Sequence, residues 1–448
     1  MEDLTTGSLS RHLLRTASFM LVTMLSQTLY LLVDLYWVGR LGKEAVAAVG
    51  LAANLSFVVL ALSQVLGVGT TTLISHASGE RNRERAREVF HQSLWLACVA
   101  AFVFLIVGLP GRRLYVDAFA ADALTAALGE EYLRWFVPAL ALQFVLATMA
   151  AALRGTGAFK APMLVQVMTV VINIVLAPIL IFGWGFGVPI GVSGAAIASL
   201  VAVASGIAWL SREFIAEEAF LRLRAAEAGP RPAVWRSVVE IGLPAGAEFG
   251  LTAVFMFVVY AVSRPFGAAA QAGVGIGLRL VQAFFLPVVA LGFSVAPVAG
   301  QNVGARRFDR VRQTLRAGIG LSVSLMLAVG VVIQFTAAPM VGVFSADPAV
   351  IAVGGDYLRI VGLGFAASGI VFVTSSLFQA LGQTLPPLLT STVRNVAVLG
   401  PVLWLASRPG FELTLIWYLS LGAVVVHAAA NFLLVQRQIR LLEARLVP

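Results

Sequence analysis

Apolar runs long enough to cross a bilayer recur along this chain, and nothing constrains its fold more. A spanning helix takes ~20 apolar residues at a rise of ~1.5 Å each. Twelve segments reach that length, at roughly 13–38, 45–77, 88–109, 132–153, 161–183, 190–210, 237–263, 269–298, 314–335, 353–378, 385–406 and 414–436. Several contain Gly or Pro, which spanning helices tolerate. Only 12% of the 448 residues are charged, against ~25% in a soluble domain. The expected class is an all-α integral membrane protein. The stretch before residue 13 does not read as a cleavable leader.

The first segment carries Thr16, Met20, Thr23, Gln27, Tyr30, Asp34 and Trp37 at intervals of three or four. These residues therefore share one helix face. A carboxylate in a spanning helix costs ~2.5 kcal/mol or more and as a rule faces a protein interior or a water-filled cavity. Asp34 is expected inside the protein, on a face that lines something polar. The alternative is an ordinary helix-end charge at the headgroup level.

Positive charge alternates between connections. The set containing Arg11, Arg81, Arg154, Arg212, Arg306 and Arg437 holds 21 Lys and Arg, and the opposite set, containing Arg40, Arg112, Arg264 and Arg359, holds 8. The richer side is the cytoplasmic one, so both termini are expected in the cytoplasm. The net charge of +9 is accounted for by these loops, and no nucleic-acid partner is expected.

The chain repeats itself at a constant offset of 225 residues. Gly42, Gly50, Gly67, Gly79 and Arg81 recur as Gly267, Gly275, Gly292, Gly304 and Arg306. Asp122, Tyr132-Leu133-Arg134, Gly157 and Pro162 recur as Asp347, Tyr357-Leu358-Arg359, Gly382 and Pro387. Each copy has six spans, an even number, so the copies have parallel topology. The expected fold is twelve transmembrane helices in two six-helix bundles related by a pseudo-two-fold along the membrane normal. The divisions are an N-terminal bundle at 1–210, a cytoplasmic linker at 211–236 and a C-terminal bundle at 237–448. Within the linker, the charged run 217–224 reads as solvated chain before it reads as a short surface helix. Paired bundles with a cleft between them, rocking against each other, are the usual layout of a secondary transporter.

Motifs for catalysis are absent. There is no GxxxxGK[ST] loop, GxSxG or HExxH, so no enzyme activity, cofactor or catalytic residue is expected. Cys98 is the lone cysteine, which excludes an intrachain disulfide and suggests no Cys-based metal site. His12, His76, His91 and His427 show no ligand spacing, and no metal is expected. His427, inside the last span, reads as a satisfied interior histidine before a proton carrier. The Gly273-Val274-Gly275-Ile276-Gly277 run sits in a span and reads as close helix packing. Glu248, Arg279 and Arg394 are intramembrane ionisable groups and so candidates for function. Glu248 lies on the face of Thr252. It either pairs structurally with Arg279 or acts directly in binding.

Asp34-Leu35-Tyr36-Trp37-Val38-Gly39-Arg40-Leu41-Gly42 resembles the junction of helices one and two in the multidrug and toxic compound extrusion (MATE) family. Gly275-Ile276-Gly277-Leu278-Arg279, Pro287 and Gly300-Gln301-Asn302-Val303-Gly304-Ala305 are similar to that family's second-half signature. Asn173 to Pro178 and Gly191 to Ala196 resemble its fifth and sixth helices. The likeness covers essentially the whole chain and points to the damage-inducible prokaryotic branch. It implies an inner-membrane (plasma-membrane) multidrug efflux antiporter that exports amphipathic, often cationic, compounds in exchange for protons or sodium. Carried over by position, Asp34 would couple the ion, with Asn173 and Ser199 as polar neighbours. Two departures stand out. Ala177 occupies a position that is often Asp in that branch, and the first span has no proline at which to bend.

Physical chemistry agrees with this implication. Burial disfavours the charged form of a carboxylate, so such a group can exchange a proton near physiological pH. Protonation would weaken a cation bound nearby, which gives antiport if two arrangements differ in access and proton affinity. With Ala177 offering no second carboxylate, a proton is the expected coupling ion, and sodium is the alternative. Substrate contacts are expected from Gln27, Tyr30, Tyr36, Trp37, Glu248, Phe255, Met256 and Arg279, with Phe257 a further aromatic candidate for cation–π contact. The expected partners are small amphipathic molecules and membrane lipid, and the expected working unit is a monomer. A flippase for a lipid-linked sugar or lipid would want a basic cavity. A polytopic membrane enzyme would want catalytic groups at one interface. A passive channel would need neither paired bundles nor a titratable carboxylate.

Reporter fusions placed after Pro448 and within 211–236 are both expected to read as cytoplasmic. A periplasmic signal at either point would overturn the span count or the repeat.

Overall fold

The structure is a computed structural model that describes residues 2–185, 187–216, 220–222, 229–405 and 411–444. Thirteen α-helices and no strands occur among the described residues. They are α1 (Leu9–Gly39), α2 (Lys43–Gly79), α3 (Arg83–Phe119), α4 (Ala123–Gly155), α5 (Lys160–Phe182), α6 (Val192–Ile215) and α7 (Pro232–Val262), followed by α8 (Ala268–Gly304), α9 (Phe308–Gly342), α10 (Pro348–Leu363), α11 (Phe365–Ala380), α12 (Leu385–Leu405) and α13 (Leu413–Ala444). Most of the 217–224 run lies outside the described residues.

Ten of these helices are long and apolar enough to cross a membrane singly, and α10 with α11 does so as a pair bent by 55°. The expected tenth span is thus broken at Gly364, two residues after Gly362, and glycine holds a helix poorly. The first repeat has Ala139 where the second has Gly364, and α4 runs through unbroken. With 21 residues, α12 completes twelve spanning elements; Arg394 and Asn395 at its centre make it less apolar than the rest.

Contacts divide the chain into two compact units. One is Met1–Asp3 with Phe19–Gly246, and the other is Leu4–Ser18 with Ala247–Pro448. In the first unit, α7 approaches α2 at glycines. A Cβ on Gly242 would overlap the Val65 carbonyl, and one on Gly69 would overlap that of Val238. Gly242 and Gly246 form a G-x-x-x-G face of the kind that lets membrane helices touch backbone to backbone.

In the second unit, α8 packs on α10 in the same way. A Cβ on Gly273 would lie 2.8 Å from the Val350 carbonyl oxygen, and one on Gly277 would run into the Tyr357 ring. The glycine run is a packing surface. The start of the chain also belongs to this unit. Leu4, Leu9 and Leu13 are buried beside Phe308, Leu377 and Phe378. Gln301 Oε1 accepts from the Leu4 N–H (3.0 Å), and Asn302 Nδ2 donates to the Leu4 carbonyl (3.3 Å).

The 225-residue repeat is written into the backbone. Arg81 and Arg306 are the two non-glycine residues with positive φ among the described residues, at 56° and 57°. Each ends its helix in a left-handed cap. Asn82 N–H bonds the Ala77 carbonyl, and Arg307 N–H bonds that of Asn302, the six-to-one bond of a Schellman motif. Gly157 and Gly382 repeat the device after α4 and α11. Asp122 and Asp347 cap α4 and α10, each accepting a backbone N–H at 2.8 Å. The Thr125 backbone and hydroxyl donors hold the Asp122 carboxyl below the usual carboxylate range.

Gly242→Ala is expected to destabilise the protein by ~1–3 kcal/mol or more through overpacking. Gly250→Ala, in open space on the same helix, should change stability by no more than ~0.5 kcal/mol. Melting curves in detergent compare the two, and equal effects would refute the close approach.

Candidate functional site

Each unit holds a polar cluster around an intramembrane carboxylate. In the first unit, Asp34 is 6% exposed and its Oδ1 has no protein hydrogen-bond partner. Tyr30 lies one turn before it on α1, and its hydroxyl is 2.6 Å from Ser199 Oγ. Ser199 donates to the Ala195 carbonyl (3.0 Å) and accepts from Asn173 Nδ2 (3.3 Å). Asn173 is fully buried and its Oδ1 is unpaired. Tyr132, from α4, closes the group within electrostatic reach of Asp34 and Tyr30. The structure thus bonds Asn173 to Ser199, and Tyr30 ties that pair to the turn of α1 that carries Asp34. Ala177 is buried in the adjoining apolar core.

Glycine contacts position this cluster. Gly194 and Gly206 seat α6 on α5 above and below Ser199: a Cβ on Gly194 would lie 2.7 Å from the Ile181 nitrogen, and one on Gly206 would lie 2.9 Å from the Thr169 methyl. Side chains between two such contacts are drawn together.

The other first-unit candidates sit further along α1. Trp37 packs edge-on against Phe182 and Trp184. Tyr36 is exposed and hydrogen-bonded by Arg40, whose guanidinium lies 4.8 Å from the ring centre. Gln27 is exposed.

In the second unit, Glu248 Oε1 accepts from Ser375 (3.2 Å) and Ser391 (3.0 Å). Arg394 faces it within electrostatic reach, and its guanidinium lies 5.6 Å from the Phe255 ring centre. Arg394 also donates to Asn395 Oδ1 through Nε and Nη2, at 3.3 and 3.0 Å. Arg279 is exposed and forms no ion pair with Glu248, so of the two alternatives the structural pair with Arg279 is not formed, and the cation within electrostatic reach of Glu248 is Arg394. Met256 Sδ accepts a hydrogen bond from Gln282, and Phe257 is exposed.

His427 Nε2 is 3.2 Å from the Thr390 hydroxyl, which donates to Asn431 Oδ1 at 2.6 Å. His427 Nδ1 and Asn431 Nδ2 are unpaired, so His427 is only half satisfied. Among the described residues, no three His, Cys, Asp or Glu side chains converge to hold a metal ion.

Sequence reasoning missed Tyr132, Ser375, Thr390, Ser391, Asn395 and Asn431. A signal existed for α12: Thr390 with Arg394, and Ser391 with Asn395, are spaced four apart and share a face.

Twelve spanning elements with an intramembrane carboxylate in each repeat define a multi-pass α-helical membrane transporter. The MatE family model matches residues 20–179 and 244–404, and the chain belongs to that family, multidrug and toxic compound extrusion. A probable multidrug resistance protein NorM of Thermotoga maritima is 26% identical over 88% of this chain and 83% of its own. The multidrug export protein MepA of Staphylococcus aureus (strain MRSA252) is 26% identical over 92% and 90%. A solved MOP superfamily transporter from Pyrococcus furiosus superposes with a TM-score of 0.88 at 25% identity, covering 98% of each chain.

Ser391→Ala is expected to destabilise by ~1 kcal/mol through loss of its bond to Glu248. On a Glu248→Ala background the same change should cost nothing further. Melting of the four proteins in this double-mutant cycle is the check, and additive losses would show the pair to be uncoupled.

Proposed function

We propose that this transporter is a secondary active multidrug antiporter of the inner membrane, with both termini cytoplasmic. It exports amphipathic, often cationic, compounds in exchange for protons by alternating access. One observation carries the reading: Asp34 is a buried carboxylate with an unpaired oxygen, set beside neutral hydrogen-bonding groups.

A desolvated metal cation needs several oxygen ligands and favours carboxylates and carbonyls. Around Asp34 the ligands on offer are an amide and hydroxyls, with Ala177 standing where a second carboxylate would add charge. A proton needs only the one carboxylate. Its arrival removes the negative charge, and a cation held by that charge loses affinity. Glu248, with Arg394 in reach, serves the substrate side of the cycle rather than the ion.

The test is export of a fluorescent cation from proteoliposomes under an imposed pH gradient in sodium-free buffer. Export is expected to follow the pH gradient and to fall at least tenfold in Asp34→Asn. Glu248→Gln is expected to alter substrate affinity or preference while proton release persists. Export that requires sodium and ignores the pH gradient would sink the proposal, as would an Asp34→Asn protein that couples normally.

A further inference from the structure

A cavity of about 410 Å³ opens in the second unit between the early turns of α9 and the last turns of α13. Arg312 and Arg316, one turn apart on α9, and Arg440 on α13 stand around it, over a floor of Leu315, Phe432 and Ile439. Leu315 and Ile439 are buried members of the apolar core, whereas Arg316 and Arg440 are exposed. Arg312 is paired with Glu443. Arg316 and Arg440 have no carboxylate partner among the described residues. The cavity therefore presents two unpaired guanidinium groups above hydrocarbon.

The internal repeat shows one exchange at this cavity. At the same offset of 225, Leu315 and Arg316 of α9 stand for Phe90 and His91 of α3 in the first unit. Phe90 stacks on Phe214 at 4.3 Å and both are fully buried, which fills the space between α3 and α6. In the second unit an aliphatic side chain takes the place of the Phe90 ring, and an arginine takes the place of His91 at the rim.

We propose that this cavity binds an anionic phospholipid of the leaflet on the arginine-rich side, which rests on the cytoplasmic assignment of that side. Arg316 and Arg440 hold the headgroup phosphate, since guanidinium forks match phosphate oxygens. An acyl chain lies on Leu315, Phe432 and Ile439. Basic pockets between spanning helices on the cytoplasmic side suit such headgroups.

The experiment measures lipid retention by native mass spectrometry, with melting in parallel, on the purified full-length protein in detergent. Phosphatidylglycerol and phosphatidylcholine are the probes. Wild type is expected to retain phosphatidylglycerol preferentially and to melt higher with it. Arg316→Gln/Arg440→Gln, both at exposed positions, is expected to weaken that retention by about thirtyfold. Leu315→Phe/Ile439→Phe fills the cavity with two rings, keeps every charge and is expected to abolish it. Retention unchanged in either double variant, or equal retention of the two lipids by wild type, would overturn the proposal. So would equal protection by inorganic phosphate, which would assign the site to a soluble anion. Transport is not read in this experiment, so its outcome is independent of the antiport reading.

Discussion

Close approach of helices at residues without side chains is the constraint on which the rest of this structure depends. In lipid, apolar side chains gain little by leaving one hydrocarbon for another, so spanning helices are held by packing and hydrogen bonds. Gly69 and Gly242 bring α2 against α7, Gly194 and Gly206 bring α5 against α6, and Gly273 and Gly277 bring α8 against α10. Where backbones meet this closely, polar side chains between the contacts lose their access to water. Asn173 and Ser199 lie between two such contacts, and both are buried.

Burial without full pairing has consequences. An unsatisfied buried polar atom costs ~1–3 kcal/mol, and native proteins keep few of them. Asp34 Oδ1 and Asn173 Oδ1 are both unpaired in the first unit's cluster, and His427 Nδ1 and Asn431 Nδ2 are unpaired beside Thr390 in the second unit.

The first cluster was largely legible in the sequence, because its members announce themselves locally. Asp34 is a carboxylate in an apolar run, and Tyr30 falls one turn before it on the same face. The second was not. Ser375, Thr390 and Ser391 look like any hydroxyl that bonds back to its own helix, as Thr390 also does with the Pro386 and Pro387 carbonyls. Only the packing of α7, α11 and α12 within the unit shows which hydroxyls turn to Glu248. Arg279 and Arg394 were indistinguishable as intramembrane cations, and rotation about the helix axis decides between them. The break at Gly364 was hidden for a related reason: hydropathy sums over a helix joint without registering it.

The repeat separates what the backbone dictates from what the chemistry requires. Caps at Arg81 and Arg306, at Gly157 and Gly382, and at Asp122 and Asp347 are matched between the units. They set where helices end and so fix the scaffold twice. The polar clusters are not matched. At the same offset, Val259 stands for Asp34, Phe255 for Tyr30 and Val398 for Asn173, while Thr23 stands for Glu248. Val259 and Val398 are buried in an apolar core, as a scaffold position demands when no polar partner is present. One unit leaves an oxygen of its carboxylate without a protein partner, and the other bonds its carboxylate to two serines within reach of a guanidinium. The same scaffold, built twice, thus surrounds its two carboxylates with different neighbours.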